Sequence, residues 1–276
     1  MLSKKNNIKV TILNYNISSI RLFSFIQKIS KLIQQKKKDY ICVSAVHGAV
    51  ESTYNKKYKI AHDNACIAVP DGRPIYWALK LLGHTHVDHL PGYFVTNEIC
   101  KLANKKKYKI GIYGSTEDVQ RDFIKNIKKK YKNIKFTYLY SPPFRKLSIK
   151  EIKNIHKEIN KSKIDILLVA LGAPKQEIWM YDNYKKINCV LIGIGAAIDF
   201  ISGNKKMAPK IMEFLGLAWL FRLISEPRRL FLRYFITNSL FLYYFTLQYI
   251  KFKFKNLLWI PVNIGSDEQV SINQMI

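Results

Sequence analysis

The sequence predicts an α/β fold in which a mostly parallel, Rossmann-like sheet is flanked by helices and followed by a C-terminal helical appendage. Three observations carry this expectation. Short apolar runs alternate with helix-like stretches, helix-start signals follow several of the runs, and the composition changes abruptly after Gly203. Strands alternating with helices imply a largely parallel sheet covered on both faces.

Seven runs bounded by Gly, Pro or Lys clusters read as strands, at 8–13, 40–45, 65–69, 108–113, 135–140, 164–171 and 189–194. Helical stretches fall between them at 18–35, 116–131, 148–160 and 174–186. Thr116 or Ser115 suits an N-cap before Glu117 and Asp118, Ser148 and Glu151 have capping-box spacing, and Pro174 is favoured at a helix start. No internal repeat or low-complexity linker interrupts the pattern. The organisation expected is an α/β core over 1–203, a basic and aromatic helical appendage over 204–264, and a polar tail over 265–276.

The appendage is distinctive. Between Lys205 and Lys255 ten basic residues face two acidic ones, Glu213 and Glu226, and aromatic residues are interleaved throughout. From Tyr234 to Ile250 no residue is charged, but this stretch is 17 residues long and carries Thr237, Asn238, Ser239, Thr246 and Gln248. A spanning helix needs about 20 predominantly apolar residues. A membrane-associating helix lying in the interface is therefore one reading; a helix packing its aromatics on the protein body is the other. All seven strand candidates precede Gly195, so the core is expected to be complete without this tail.

A chain of 276 residues with 48% hydrophobic residues is that of an ordinary globular protein. The net charge of +27 comes from 46 basic residues, 38 of them Lys and spread along the chain. Such a spread is a solvated surface or an attraction to an anionic surface. Four of the eight arginines (Arg222, Arg228, Arg229 and Arg233) fall within twelve residues. The planar donor fork of Arg suits phosphate and diphosphate, so this cluster reads as a phosphate or phospholipid site, with an exposed helix face as the alternative. No recognisable nucleic-acid module accompanies the charge, and no nucleic-acid partner is expected. The four cysteines have no CxxC spacing and read as reduced thiols, and the N-terminus lacks the apolar segment of a signal peptide.

Two motifs follow strand candidates, where open α/β sheets place their ligands. Pro70-Asp71-Gly72 offers a carboxylate suited to general-base work or to holding a sugar hydroxyl; it is equally ordinary turn chemistry. Gly172 to Glu177 offers a close backbone approach, helix-start amides that favour anions, and in Gln176 both a donor and an acceptor; a plain turn and helix cap is the alternative. His47 ends a strand on the same edge. Gly193-Ile194-Gly195 lacks the third glycine of a dinucleotide loop. His84, His86, Asp88 and His89 match no zinc spacing and read as solvated loop residues.

With these residues in place, the chain resembles the WecG/TagA/CpsF family of bacterial glycosyltransferases. The matching pieces occur in the family's order: VSAVHGAVES (43–52), VPDGRPIYWALKLLG (69–83), YGSTEDV (113–119), YSPPF (140–144), LGAPKQEIWM (171–180), GIGAAIDFISGNKKMAPK (193–210) and LAWLFRLISEPRRLFLRYF (217–235). The resemblance implies an inverting enzyme that moves a sugar from a UDP-sugar to a polyprenyl-diphosphate-linked sugar in cell-surface polysaccharide synthesis. It implies Asp71 as the base, and Gly172, Lys175, Gln176, Glu177, Asp199 and His47 as nucleotide-sugar-binding residues. Arg222, Arg228, Arg229 and Arg233 are expected at the lipid diphosphate and the membrane. No metal or other cofactor is implied. The expected location is peripheral, on the cytoplasmic face of the bacterial inner membrane, and a homo-oligomer is compatible with this reading. Relatives often have Asn where this chain has Ala45, and a Gly-x-Asp where Phe94 follows Gly92 and Tyr93. These departures touch the presumed sugar pocket and leave a weakened enzyme, acting as scaffold or binding protein of a polysaccharide assembly, as the alternative.

Overall fold

The computed structural model describes residues 8–257. Two strands, β1 (Ile8–Ile12) and β2 (Tyr15–Ser19), form an antiparallel hairpin by themselves. The chain then runs through α1 (Leu22–Gln34), β3 (Asp39–Ser44), α2 (Val46–Tyr54), α3 (Lys56–Asp63), β4 (Ile67–Pro70), α4 (Arg73–Leu81) and α5 (Gly92–Lys106). It continues through β5 (Lys109–Gly114), α6 (Glu117–Lys130), β6 (Lys135–Tyr140), α7 (Ile149–Lys161), β7 (Ile166–Ala170), α8 (Lys175–Asn183), a 3₁₀ turn, β8 (Val190–Gly193) and α9 (Ala197–Ser202). The appendage comprises α10 (Lys210–Phe214), α11 (Ala218–Ser225) and α12 (Pro227–Leu257). The tail expected over 265–276 lies outside the described residues.

Strands β3 to β8 build one six-stranded parallel sheet in the order β4-β3-β8-β7-β5-β6. Strands β7 and β8 are buried along their whole length, as a sheet covered on both faces demands. One buried cluster fills the face under α1, α5, α6 and α9, and a second lies under α7 and α8. The capping box at Ser148 is formed, with Ser148 Oγ accepting from the Glu151 amide at 3.3 Å and Glu151 Oε2 accepting from the Ser148 amide at 2.8 Å.

Two expectations need correction. Residues 18 and 19, expected in a helix, end β2, and the first strand pairs with β2 rather than joining the main sheet. The hairpin turn is Leu13-Asn14, with Leu13 at φ 56°, in place of the Asn-Gly type that advertises a hairpin in sequence. The second correction concerns the tail. Phe241 of α12 is buried in a third cluster with Val10, Ile12 and Tyr15, and both amide groups of Gln248 bond the hairpin backbone, to Leu13 N and Thr11 O, at 2.8 Å each. The appendage thus completes a core that the strand positions alone suggested was finished without it.

Candidate functional site

The carboxyl ends of β3, β4, β7 and β8 open into one cavity of about 370 Å³ that the appendage roofs. Parallel strands put every C-terminal edge on the same side, so the segments following four strands converge there although far apart in sequence. Asp71, His47, Gly172 and Gln176 line it from the body; Arg222, Arg229 and Arg233 line it from α11 and α12. Lys175, Glu177, Asp199 and Arg228 are outside the lining. Asp199 instead accepts from Asn204 Nδ2 at 3.1 Å and, through its carbonyl oxygen, from the Lys205 amide, which shapes the turn after α9.

Asp71 continues β4, its amide donating to Ser44 O at 3.0 Å. Its Oδ1 accepts from the Gly92 amide, the first residue of α5, at 2.7 Å. The side chain is thereby held between the N-termini of α4 and α5, whose dipoles favour an anion. Oδ2 has no hydrogen-bond partner among the described residues. His89 Nε2 donates to the Asp71 carbonyl at 2.5 Å, which fixes the proton on Nε2 and leaves Nδ1 as the second ring nitrogen. Burial, reinforced by the charge of Arg73, pushes the His89 pKa below its usual value. His47 is lowered too, first by burial and then by Arg233.

Gln176 plays a different part from the one its sequence position suggests. Its Oε1 accepts from the Gly195 amide at 3.0 Å and its Nε2 donates to Glu177 Oε1 at 2.7 Å. The side chain is buried and staples α8 to the loop after β8, and these two bonds leave one amide N–H and one carbonyl lone pair at the cavity wall. Gly193 makes this possible, because a Cβ there would lie 2.8 Å from Met180 Cε and 3.2 Å from the Gln176 amide. Gly172 has φ 75°, a conformation glycine adopts without strain. Glu177 is buried with Oε2 unpartnered, and desolvation pushes its pKa up to about 7.

The histidine group read as solvated loop residues is taken apart by the fold. His86 Nδ1 meets Arg21 Nη2 at 2.7 Å, Asp88 Oδ2 accepts from the Leu22 amide at 2.9 Å, and His89 enters the cavity. Sequence reasoning also passed over Arg73 and Tyr93, which dock α10: Arg73 Nε donates to Glu213 O at 3.1 Å and Tyr93 Oη donates to Glu213 Oε2 at 2.8 Å. No local pattern marks such residues, since their partners lie more than a hundred positions away. Phe94 packs against the main core cluster and is absent from the cavity lining, whereas Ala45 lines the cavity.

The packing reading of the appendage holds for one face of α12, and the other face is exposed. Leu230, Tyr234, Thr237 and Phe241, spaced as one helical stripe, are buried against the body. Phe231, Leu232, Phe235, Leu242, Tyr243 and Leu247 are exposed on the rest of the helix. Among the described residues no helix is long and apolar enough to cross a membrane.

The profile of the Glycosyl transferase WecG/TagA/CpsF family matches residues 10–255. A protein of Bacillus subtilis (strain 168) named N-acetylglucosaminyldiphosphoundecaprenol N-acetyl-beta-D-mannosaminyltransferase is 32% identical over 222 residues, covering 79% of this chain and 84% of that protein. Proteins of the same name from Bacillus spizizenii (strain ATCC 23059 / NRRL B-14472 / W23) and Staphylococcus aureus (strain MW2) are 27% and 23% identical, covering 75% and 82% of this chain and 80% and 89% of their own lengths.

Proposed function

This chain belongs to the WecG/TagA/CpsF family of glycosyltransferases, and we propose that it moves N-acetylmannosamine or a related hexose from a UDP-sugar onto a polyprenyl-diphosphate-linked N-acetylglucosamine. One observation carries the reading: the unpartnered Oδ2 of Asp71 shares a single cavity with three arginines of the appendage. A base and a diphosphate-binding surface are what sugar transfer between two diphosphate-bearing substrates needs.

In this mechanism the acceptor hydroxyl gives its proton to Asp71 Oδ2 as its oxygen attacks the anomeric carbon. The bond to the UDP oxygen breaks on the opposite face, so the configuration inverts. Asp71 keeps its orientation because Oδ1 is tied to the Gly92 amide. Arg222, Arg229 and Arg233 stabilise diphosphate charge where it develops. The exposed apolar and aromatic side chains of α12, with the basic residues near them, rest on the anionic cytoplasmic surface of the inner membrane and bring the cavity to the lipid substrate. Ala45 lines the cavity where the family resemblance implies Asn, which makes the donor's acyl or hydroxyl pattern the point at which this enzyme differs in specificity.

The test is incubation of the protein with a panel of UDP-sugars and a short-chain prenyl-diphosphate N-acetylglucosamine, read by mass spectrometry. A product heavier by one sugar, with UDP released, supports the reading. Absence of product with every donor, from folded protein supplied with lipid vesicles, overturns it in favour of a scaffold.

A further inference from the structure

The junction between body and appendage holds an ion cluster in which Lys205 and Glu226, which the mechanism above does not use, meet Arg229, which it does. Glu226, between α11 and α12, has Oε1 at 3.0 Å from Lys205 Nζ and Oε2 at 2.6 Å from Arg229 Nη2. Lys205 belongs to the loop after α9, on the body, whereas Arg229 lies in the first turn of α12. All three side chains line the cavity. Nearby, Arg222 stacks its guanidinium over Phe200 at 4.6 Å and Arg233 over Tyr234 at 5.4 Å; neither has a carboxylate partner among the described residues.

We infer that Lys205 and Arg229 together form a binding site for a phosphate group of the substrate, and that Glu226 is an internal anion which that phosphate displaces. The inference rests on the reading above that a diphosphate enters this cavity. A carboxylate gripped by two cations marks a place where negative charge is favoured, through charge-assisted hydrogen bonds from both sides. Burial alone would raise the Glu226 carboxyl; the hydrogen bond and charge of Lys205, with those of Arg229, hold it below the usual carboxylate range instead. A phosphate offers the same two donors more charge and more acceptor oxygens than a carboxylate does, so it wins the exchange when it is bound elsewhere in the cavity as well. Glu226 meanwhile offsets the mutual repulsion of Lys205, Arg222, Arg229 and Arg233 and ties the appendage to the body. Release of Glu226 by the substrate links phosphate binding to the position of α12. Lys205, placed by the turn that Asp199 shapes, is then the body's own contribution to the phosphate site.

The two roles open to Glu226 predict opposite results. Titration calorimetry of the full chain with inorganic pyrophosphate, at low ionic strength and pH 7.5, compares wild type with Glu226→Gln and Lys205→Met. If Glu226 competes with the ligand, Glu226→Gln binds pyrophosphate roughly fivefold more tightly, a partly exposed ion pair being worth about 1 kcal/mol. Lys205→Met binds more weakly by a similar factor. Weaker or unchanged binding in Glu226→Gln makes the cluster a plain clamp and overturns the inference. If the Glu226 variant does not fold, Lys205→Met decides alone: unchanged pyrophosphate affinity with an unchanged melting temperature removes Lys205 from the site. Sugar transfer by the wild type together with unaltered affinities sinks this inference and leaves the transferase reading intact. The expected affinities without transfer from any UDP-sugar sink the transferase reading and leave the phosphate site standing.

Discussion

Asp71 does two jobs with two oxygens, and a pair of substitutions separates them. Oδ1 accepts the Gly92 amide at 2.7 Å and so fixes the start of α5; Oδ2, without a partner among the described residues, is the proton acceptor proposed for transfer. Asp71→Asn retains a carbonyl oxygen for Gly92 and places an amide where the base was. Its melting temperature should therefore stay within about 1 °C of wild type, while the transfer rate falls at least about a hundredfold, the range in which general bases contribute. Asp71→Ala removes both functions. The Gly92 amide loses its acceptor beside a cavity that water can reach, a cost of about 1 kcal/mol, near the low end for an unmade hydrogen bond. For a domain of this size that corresponds to about 2–4 °C. Initial rates of sugar transfer at saturating donor, read by mass spectrometry alongside a fluorescence melt, test the pair. An Asp71→Asn enzyme with more than a tenth of wild-type turnover would refute the base assignment, and equal melting temperatures for the Asn and Ala variants would refute the structural role of Oδ1.

Gln176→Ala deletes the acceptor of the Gly195 amide and the donor to Glu177, so it should cost about 2 kcal/mol and several degrees of melting temperature; a raised donor KM with an unchanged melt would mean the amide serves ligand directly. Burial pushes the Glu177 pKa from an ordinary 4.5 up to about 7, so the folded state holds its proton more tightly than the unfolded one. Its contribution to stability is fully present below pH 4.5 and declines as pH rises toward 7; Glu177→Gln should gain on wild type across that window by up to about 3 kcal/mol, measured by urea unfolding at pH 5 and pH 8. A constant difference between the two would show that Glu177 is ionised throughout. Replacing Arg222, Arg229 and Arg233 together by Lys keeps the charge but loses the planar fork, so sedimentation with anionic liposomes should persist while transfer drops at least tenfold; full activity would reduce the arginines to generic attraction. Truncation from Gly216 should abolish liposome binding and also lower the melting temperature, because Phe241 and Gln248 leave the hairpin uncovered; an unchanged melt would show that α12 adds nothing to the core.

The parallel sheet was legible in sequence because its physical cause is local. A strand covered on both faces must be a short apolar run, and residues 164–171 and 189–194 have no other reading between their Lys- and Gly-rich borders. Such a sheet also fixes which end of every strand carries the ligand, and for that reason Asp71, His47 and Gly172 could be assigned to one edge before any coordinates. Family membership was legible for a related reason, since its motifs are contiguous. Pairing between distant segments was not legible. The hairpin went unseen because Leu13-Asn14 is not the chemistry of a common two-residue turn. His89 hid beside His86 and Asp88, to whose side chains the fold gives separate partners. Gln176 offered a donor and an acceptor in sequence, and only its approach to Gly195, possible because Gly193 has no side chain, showed that each end already makes one structural bond. The ion cluster of Lys205, Glu226 and Arg229 joins residues on two elements whose meeting no local pattern encodes. The sequence by itself determined the six strands of the main sheet and the edge at which their carboxyl ends gather, because period and burial act over a few residues. The tertiary structure alone decided which side chains remain free for chemistry, because a hydrogen bond or ion pair depends on approaches of a few ångströms between segments far apart in the chain.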